Sequence, residues 1–333
     1  MNRRVLVGMS GGVDSSISCF LLKKKGYDII GVTLKFFEEE ERCLWIESAK
    51  NIADILKIPH YVVDVGDLFK KKVISYFFNE YRNGKTPSPC IMCNRYIKFP
   101  ILLDEAKRLG CHFIATGHYA RCENGFLKKG IDEKKDQSYF LYVLKREQIN
   151  HILMPLGELT KEEVKKTSEN IKLSYVEKKE SQDICFIKGD YRRYFKPKEG
   201  PILKNGKIQG KHRGVFFYTI GQRDGIGIAR GKPLYVIRID KEKNAIIVGY
   251  KEELYKTRLI ANRLNFIEKK ANWPNRVSAK IRYQGKESLA TIVTLEKGKI
   301  EVKFDEPQIA ITPGQSVVFY DGDIVLGGGI IIG

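Results

Sequence analysis

No apolar run in the 333 residues approaches the ~20 that a membrane-spanning helix needs, so roles that depend on crossing a bilayer are excluded and no membrane partner is expected. The start, Arg3-Arg4 followed by Val5 to Met9, has the outline of a signal peptide. Asp14 and a glycine pair interrupt any longer hydrophobic region, however, and no cleavage pattern follows, so the segment reads as a buried strand. A disulfide framework is also missing. The seven cysteines are odd in number and scattered over a long chain, which predicts reduced thiols and a cytoplasmic protein in which any disulfide is transient and catalytic. Acidic residues are in deficit, 40 Asp and Glu against 59 Lys and Arg, a net charge of +19 that favours a polyanionic partner. Solenoid repeats and low-complexity segments are absent as well, and 43% hydrophobic with 11% aromatic residues is enough for substantial cores.

At ~150 residues per domain the length predicts two domains, or three small ones. The first 200 residues alternate strand signals, Arg3 to Met9, Asp28 to Leu34, His60 to Val65 and Phe113 to Thr116, with helical stretches, Ser15 to Lys24, Cys43 to Leu56, Asp67 to Tyr81 and Tyr96 to Leu109. That alternation implies an α/β domain with a parallel sheet, whose ligands bind at the carboxyl ends of the strands, near Ser10, Leu34 and Gly117. From about residue 205 the signals turn to β: Gly214 to Ile220, then Leu234 to Asp240 and Ala245 to Tyr250 around a polar turn, Lys241 to Asn244. Beyond Arg258 several short alternating runs lead to the glycine-rich Gly327 to Gly333, which reads as a small barrel or sandwich. Residues 201–280 carry 18 basic against 6 acidic side chains, and 281–333 carry 5 against 7, so a basic module lies ahead of a more neutral end.

The strongest chemical signal is Met9 to Ser16, MSGGVDSS, between the first strand and the first helix. Its glycines permit unusual backbone angles, and successive N–H groups beside a helix start make a cradle for phosphate. No Gly-Lys-Ser/Thr ends it, so it is not the loop of ordinary P-loop ATPases. The bland alternative is a tight turn with serine as the helix N-cap. A second constellation, Gly84 to Asn94 (GKTPSPCIMCN), uses two prolines to stiffen a loop that delivers Cys93 to a helix start, where the thiolate needed for attack is favoured. Half a zinc site, completed from Cys111, His112, His118 or Cys185, and a pair of buried thiols remain open alternatives. Cys185, in KESQDICFI, would by itself be a core cysteine more often than a catalyst.

The glycine turn resembles the PP-loop of the N-type ATP pyrophosphatases, which adenylate a substrate oxygen and release pyrophosphate. Taken in order with TPSPCIMCN, Ala115 to Ala120 (ATGHYA), Lys135 to Phe140 (KDQSYF), the Cys185 segment and Tyr218 to Arg223 (YTIGQR), it resembles the bacterial tRNA-specific 2-thiouridylases through almost the whole chain. The resemblance implies a PP-loop pyrophosphatase domain over 1–200, a small, mainly-β central basic domain over 201–255 and a C-terminal β-barrel over 256–333. It implies ATP-dependent exchange of the C2 oxygen of the wobble uridine for sulfur in tRNAs for Lys, Glu and Gln. ATP would be held by Gly8, Met9, Ser10, Gly11, Gly12, Val13, Asp14, Ser15, Leu34 and Gly117, with Asp14 near Mg²⁺. Cys93 would be the nucleophile and Cys185 the cysteine that takes persulfide sulfur from a donor or relay protein, a Cys93–Cys185 disulfide closing the turnover. Ser88, Pro89 and Cys90 would contact the target base, and His118, Lys135, Asp136, Gln137, Arg282, Tyr283 and Gln315 the rest of the tRNA. Each polar member of that last set is, alone, more at home on a solvated surface. A monomer is expected.

Two departures from the family pattern matter. Cys90 stands where many relatives carry Asp, which leaves acid/base work open, and Leu34 replaces a common Met by a nearly isosteric residue. With Cys90 present, Cys90, Cys93 and Cys185 could instead ligate three irons of a [4Fe-4S] cluster, the fourth iron binding sulfide. Two rival functions stay open: another PP-loop synthetase acting on a small amide or carboxylate, and a non-catalytic RNA-binding protein. In RNA recognition the 201–280 charge would position phosphates while a flipped anticodon-loop base enters the pocket.

Overall fold

A computed structural model describes residues 3–38, 44–171, 184–187, 189–228 and 231–333. The chain opens with β1 (Arg4–Gly8), α1 (Val13–Lys24), β2 (Asp28–Lys35), α2 (Leu44–Leu56) and β3 (His60–Asp64), the alternation expected; Cys43 lies outside the described residues. Val5, Leu6 and Val7 of β1 are all wholly buried, as a strand covered by helices on both faces requires. In α2, Ala49, Ile52, Ala53 and Leu56 recur at helical spacing and form its buried stripe. Next, α3 (Gly66–Phe69) passes through a π turn, Lys70–Ile74, into α4 (Ser75–Arg82), and α5 (Pro89–Cys93) passes through a second, Asn94–Lys98, into α6 (Phe99–Arg108). The second wide turn comes just before Pro100, whose ring and missing N–H do not fit uninterrupted α-helical bonding. β4 (Phe113–Ala115), β5 (Ala120–Glu123), β6 (Phe126–Lys129), α7 (Arg146–Ile149), β7 (Ile152–Leu153) and α8 (Lys161–Asn170) follow.

The first sheet has the order β3-β2-β1-β4-β7 with every pair parallel. Its order reverses between β1 and β4, so the crevice beyond their carboxyl ends is the switch point where ligands of such sheets bind.

A four-stranded sheet comes next, β8 (Gly200–Lys204), β9 (Lys207–His212), β10 (Tyr235–Asp240) and β11 (Ala245–Gly249), in the order β10-β11-β8-β9. The strand expected at Gly214 to Ile220 is not formed. Gly214 has φ +149° and Val215–Phe217 turns as a 3₁₀ segment, so this unalternating apolar run packs as a core loop with Val215 and Tyr218 against Ile202, Val236 and Val248. The C-terminal strands are β12 (Tyr255–Phe266), β13 (Val277–Lys280), β14 (Ser288–Leu295), β15 (Lys299–Ile309), β16 (Ser316–Asp321) and β17 (Ile324–Ile331). They pair antiparallel, and β12 bonds to both β15 and β17, which closes a barrel.

The β5–β6 hairpin, absent from the sequence reading, adds to β17 through Lys128 and Ile324, so the α/β part and the barrel share one sheet. Polar bonds pin the same seam: Tyr139 Oη donates to Ser316 O (2.8 Å), Tyr142 Oη pairs with Ser316 Oγ (3.0 Å), and Asn265 Nδ2 donates to the Tyr142 and Leu144 carbonyls. Among the described residues no helix is long and apolar enough to cross a membrane.

Candidate active site

Beyond β1 the chain turns through Met9 to Gly12 into α1. The N-cap is Gly12 and no side chain accepts from the first-turn amides, so the serine-cap alternative does not apply and the helix start keeps donors for an anion. Ser15 faces the loop instead, accepting from Ser10 N–H (3.1 Å) and donating to Gly12 O (3.0 Å). Gly11 sits at φ +68°, where a Cβ would collide with the Trp45 carbonyl. At Gly12 a Cβ would meet only Ser10 Oγ, at 3.5 Å, so this face of the loop is open to close approach by a ligand. Gly117, just past β4, lies so near the loop that a Cβ would fall 2.9 Å from both Asp14 C and Ser15 N. Leu34 is buried at the carboxyl end of β2. The Asp14 carboxylate accepts from Tyr119 Oη (2.8 Å) and from Lys161 Nζ (2.8 and 3.0 Å). A half-exposed carboxylate beside a phosphate cradle suits a hard divalent cation, so these residues fit Mg-ATP.

The second constellation is gripped by all three parts of the chain. Thr86 N–H donates to Pro313 O (2.9 Å), Gln315 Nε2 donates to Thr86 O (2.8 Å), and the Thr86 hydroxyl bonds Thr219 Oγ1 (3.2 Å). Pro89 then starts α5, where a missing N–H costs nothing, and buried Asn94 donates to Phe140 O (3.0 Å) at the π turn. Cys90 is exposed and Cys93 half-buried. Cys185 arrives from a distant segment: Phe186 is buried against Phe69 and Phe77, at ring distances of 5.8 and 5.2 Å, and the neighbouring cysteine is left exposed.

The three thiols feel one another. Surrounding protein pushes Cys93 up to about 11 and Cys185 up to about 12, and raises Cys90; charge on Cys93 or Cys90 raises Cys185 further. Thiols that water reaches but protein largely surrounds lie in a recess. Lys98 opposes the rise at all three. Among the described residues no group of three or more His, Cys, Asp or Glu side chains is arranged to hold a metal ion. As they stand, the thiols therefore make neither a completed zinc site nor a three-cysteine iron cage.

His118 links the recess to the cradle. Its Nε2 lies 3.4 Å from Lys98 Nζ, which can only donate, so Nε2 accepts and Nδ1–H donates to Thr116 Oγ1 (2.8 Å). Burial and the Lys98 charge hold the imidazole well below its usual range, hence neutral, and it stacks on Phe99.

The other residues assigned to tRNA are dispersed in role. Asp136 is buried and accepts from Gly130 N–H, Ser138 N–H and Ser138 Oγ, so its carboxylate braces the turn that leads into Ser138. Gln137 accepts from Tyr119 N–H (3.0 Å) and steadies the loop after β4. Gln315 holds the Thr86 loop, exposed Arg282 donates to Ile309 O, and Tyr283 packs on Phe140 at 4.5 Å. Ser88 and Lys135 are half-buried.

Three residues of the site escaped the sequence reading: Lys98, Tyr119 and Lys161. Lys98 had a signal, since a proline two residues on marks a wide turn within a helix. So did Lys161, a cation in the first turn of a helix whose capping box, Thr160 to Glu163, is plain in the sequence.

A parallel sheet with an uncapped, glycine-built helix start at its switch point, and with three free cysteines near Lys98, defines a nucleotide-using α/β protein of the PP-loop kind. Comparison with known families finds a tRNA methyl transferase HUP domain over residues 3–189, a tRNA methyl transferase PRC-barrel domain over 191–250 and an aminomethyltransferase beta-barrel domain over 256–331. The tRNA-specific 2-thiouridylase MnmA of Clostridium acetobutylicum is 48% identical over 354 residues, covering 99% of this chain and 100% of that protein. A second MnmA, from Caldanaerobacter subterraneus subsp. tengcongensis, is 47% identical over 99% of this chain and 98% of its own length. The chain belongs to the tRNA-specific 2-thiouridylase family. Among solved structures, the U34-tRNA thiolase NcsA from Methanococcus maripaludis with its [4Fe-4S] cluster is similar over 54% of this chain and 60% of that one, at 21% identity and a TM-score of 0.38.

Proposed function

We propose that this protein replaces the C2 oxygen of the wobble uridine of tRNA by sulfur, using ATP and a protein-bound persulfide. The carrying observation is the continuous path from cradle to thiols: Gly117 lies against Asp14 and Ser15, its neighbour His118 touches Lys98, and the Lys98 charge acts on Cys90, Cys93 and Cys185. Every part of that path comes from one chain, which suits a monomer. A uridine carbonyl oxygen leaves poorly, so it is first activated. Uridine O2 bonds to the α-phosphorus, the bond to pyrophosphate breaks, and the N3 proton is lost. The amides at the start of α1 bind the phosphate charge, Asp14 would hold Mg²⁺, and that cation supplies charge neutralisation on the phosphates.

Sulfur arrives as a persulfide on Cys185, loaded by a donor protein. The Cys93 thiolate attacks the inner sulfur, forming the Cys93–Cys185 disulfide and freeing hydrosulfide. Its sulfur bonds to C2, and AMP departs with the original oxygen. A thiol reductant then returns two electrons to the disulfide. Cys90, exposed one helical turn before Cys93, and the neighbouring Ser88 face the target base in this reading. The basic module supplies phosphate contacts.

Mass analysis of nucleosides from tRNA incubated with the protein, ATP and a persulfide donor tests this. Thiouridine at the wobble position supports it, provided Cys93→Ser abolishes the product and retains tRNA binding. Pyrophosphate release independent of tRNA would favour another PP-loop synthetase. Activity that tracks iron content in anaerobically purified protein would replace the persulfide route by a cluster.

A further inference from the structure

The thiols outnumber the electron-transfer steps assigned to them. In the proposed turnover Cys185 carries the sulfur and Cys93 releases it, while Cys90, an exposed thiol on the same short helix as Cys93, exchanges no electrons. The Cys93–Cys185 disulfide also blocks the cysteine that the donor loads. Until that bond breaks, no second sulfur can enter.

Cys90 and Cys93 stand three residues apart on α5, and Ile91 and Met92 between them are buried, so the two thiols share the outer face of the helix. That spacing brings Cβ atoms to ~5–6 Å, and a disulfide needs ~3.5–4.5 Å, so ~1–2 Å remains to be closed. The start of α5 can close it. Its first-turn amides have no intrahelical partner and no side chain caps them, so the turn tightens without losing a bond. Cys185 adjoins the pair: beyond the effect of burial, charge on Cys90 raises Cys93 against the pull of Lys98, and charge on Cys93 and then on Cys90 raises Cys185.

We propose that Cys90 is the resolving thiol of this centre: once hydrosulfide has left, the Cys90 thiolate attacks the Cys93 sulfur, the Cys90–Cys93 bond forms, the Cys93–Cys185 bond breaks, and Cys185 leaves as a thiolate ready for the next persulfide. The exchange consumes neither oxidant nor reductant, and the proton of Cys90 goes to solvent. The two electrons that close the cycle then enter from a thiol reductant at Cys90, the exposed end of the new disulfide. This rests on the persulfide route.

The test uses the full chain, reduced and free of iron, ATP and tRNA, with a rhodanese charged with radiolabelled thiosulfate as persulfide donor and no added thiol. The unaltered protein is expected to take up about two labelled sulfurs per chain, one released as hydrosulfide and one left on Cys185, whereas Cys90→Ser stops at about one. Acid quenching, maleimide capping and peptide mass spectrometry without reduction follow the bonds. A Cys93–Cys185 cross-link is expected first, giving way to an internal Cys90–Cys93 disulfide in the tryptic peptide 86–95 with Cys185 free. In Cys90→Ser and Cys90→Ala the cross-link persists. Equal uptake by Cys90→Ser and the unaltered protein, or a persistent Cys93–Cys185 cross-link in the latter, would overturn the proposal. So would a Cys90–Cys93 disulfide formed in Cys185→Ser, because Cys90 would then be an entry point for sulfur. If the unaltered protein takes no sulfur on Cys185 and releases no hydrosulfide, the persulfide route itself fails.

Discussion

In the proposed sulfur transfer Cys93 attacks as an anion, yet its surroundings hold it protonated. With the thiol pushed up to about 11, about three molecules in ten thousand are ionised at pH 7.5, against about one in ten for a cysteine near its ordinary ~8.5. Iodoacetamide is therefore expected to alkylate Cys93 about 300-fold more slowly than free cysteine at that pH, the rate climbing about tenfold per pH unit up to about pH 10. The sign follows from burial, which disfavours the charged form and raises a thiol. Lys98 works the other way, so Lys98→Met is expected to slow alkylation and sulfur transfer alike by about threefold, the ~0.7 kcal/mol typical of a partly exposed charge pair, without changing ATP affinity. Quench-flow labelling read by peptide mass spectrometry, with fragment ions separating Cys93 from Cys90, measures both effects. A plateau below pH 9, or faster labelling in Lys98→Met, would refute the electrostatic reasoning.

Gly117→Ala places a methyl group 2.9 Å from the Asp14 and Ser15 backbone, an overpacking of ~1–3 kcal/mol. ATP affinity by calorimetry is expected to fall about tenfold while Cys93 labelling is unchanged; full affinity would show that the loop after β4 does not fix the cradle. Asn94→Ala removes the bond to Phe140 O at the π turn and leaves a carbonyl unpaired, so urea unfolding is expected to show a loss of ~1–2 kcal/mol. A loss under ~0.3 kcal/mol would show that nothing depends on that bond.

Local pattern made much of the α/β part legible. Three consecutive buried residues in β1 and the helical spacing of Ala49, Ile52, Ala53 and Leu56 are short-range signals, and the glycine turn advertises its backbone geometry directly. The β5–β6 hairpin had a signal that went unused: Asn124-Gly125, both at positive φ, is the preferred pair for a tight hairpin turn. The two-residue β7 is too short to leave a pattern, and the apolar run after Gly214 looked like a strand because nothing local reveals the 3₁₀ turn that breaks it. Asp136 sits in a polar string that looks solvated, and only the three donors around its carboxylate explain why it turns inward. Lys161 was legible only as the opening of a capped helix, since the partner it meets, Asp14, lies 147 residues earlier.

Oxygen tracing decides whether uridine is adenylated. When tRNA labelled with heavy oxygen at C2 of the wobble uridine is turned over with ATP and a persulfide donor, the label is expected in AMP, one atom for each thiouridine formed, with none in pyrophosphate. Heavy oxygen released into water while AMP stays light would contradict displacement of an adenylated oxygen by sulfur.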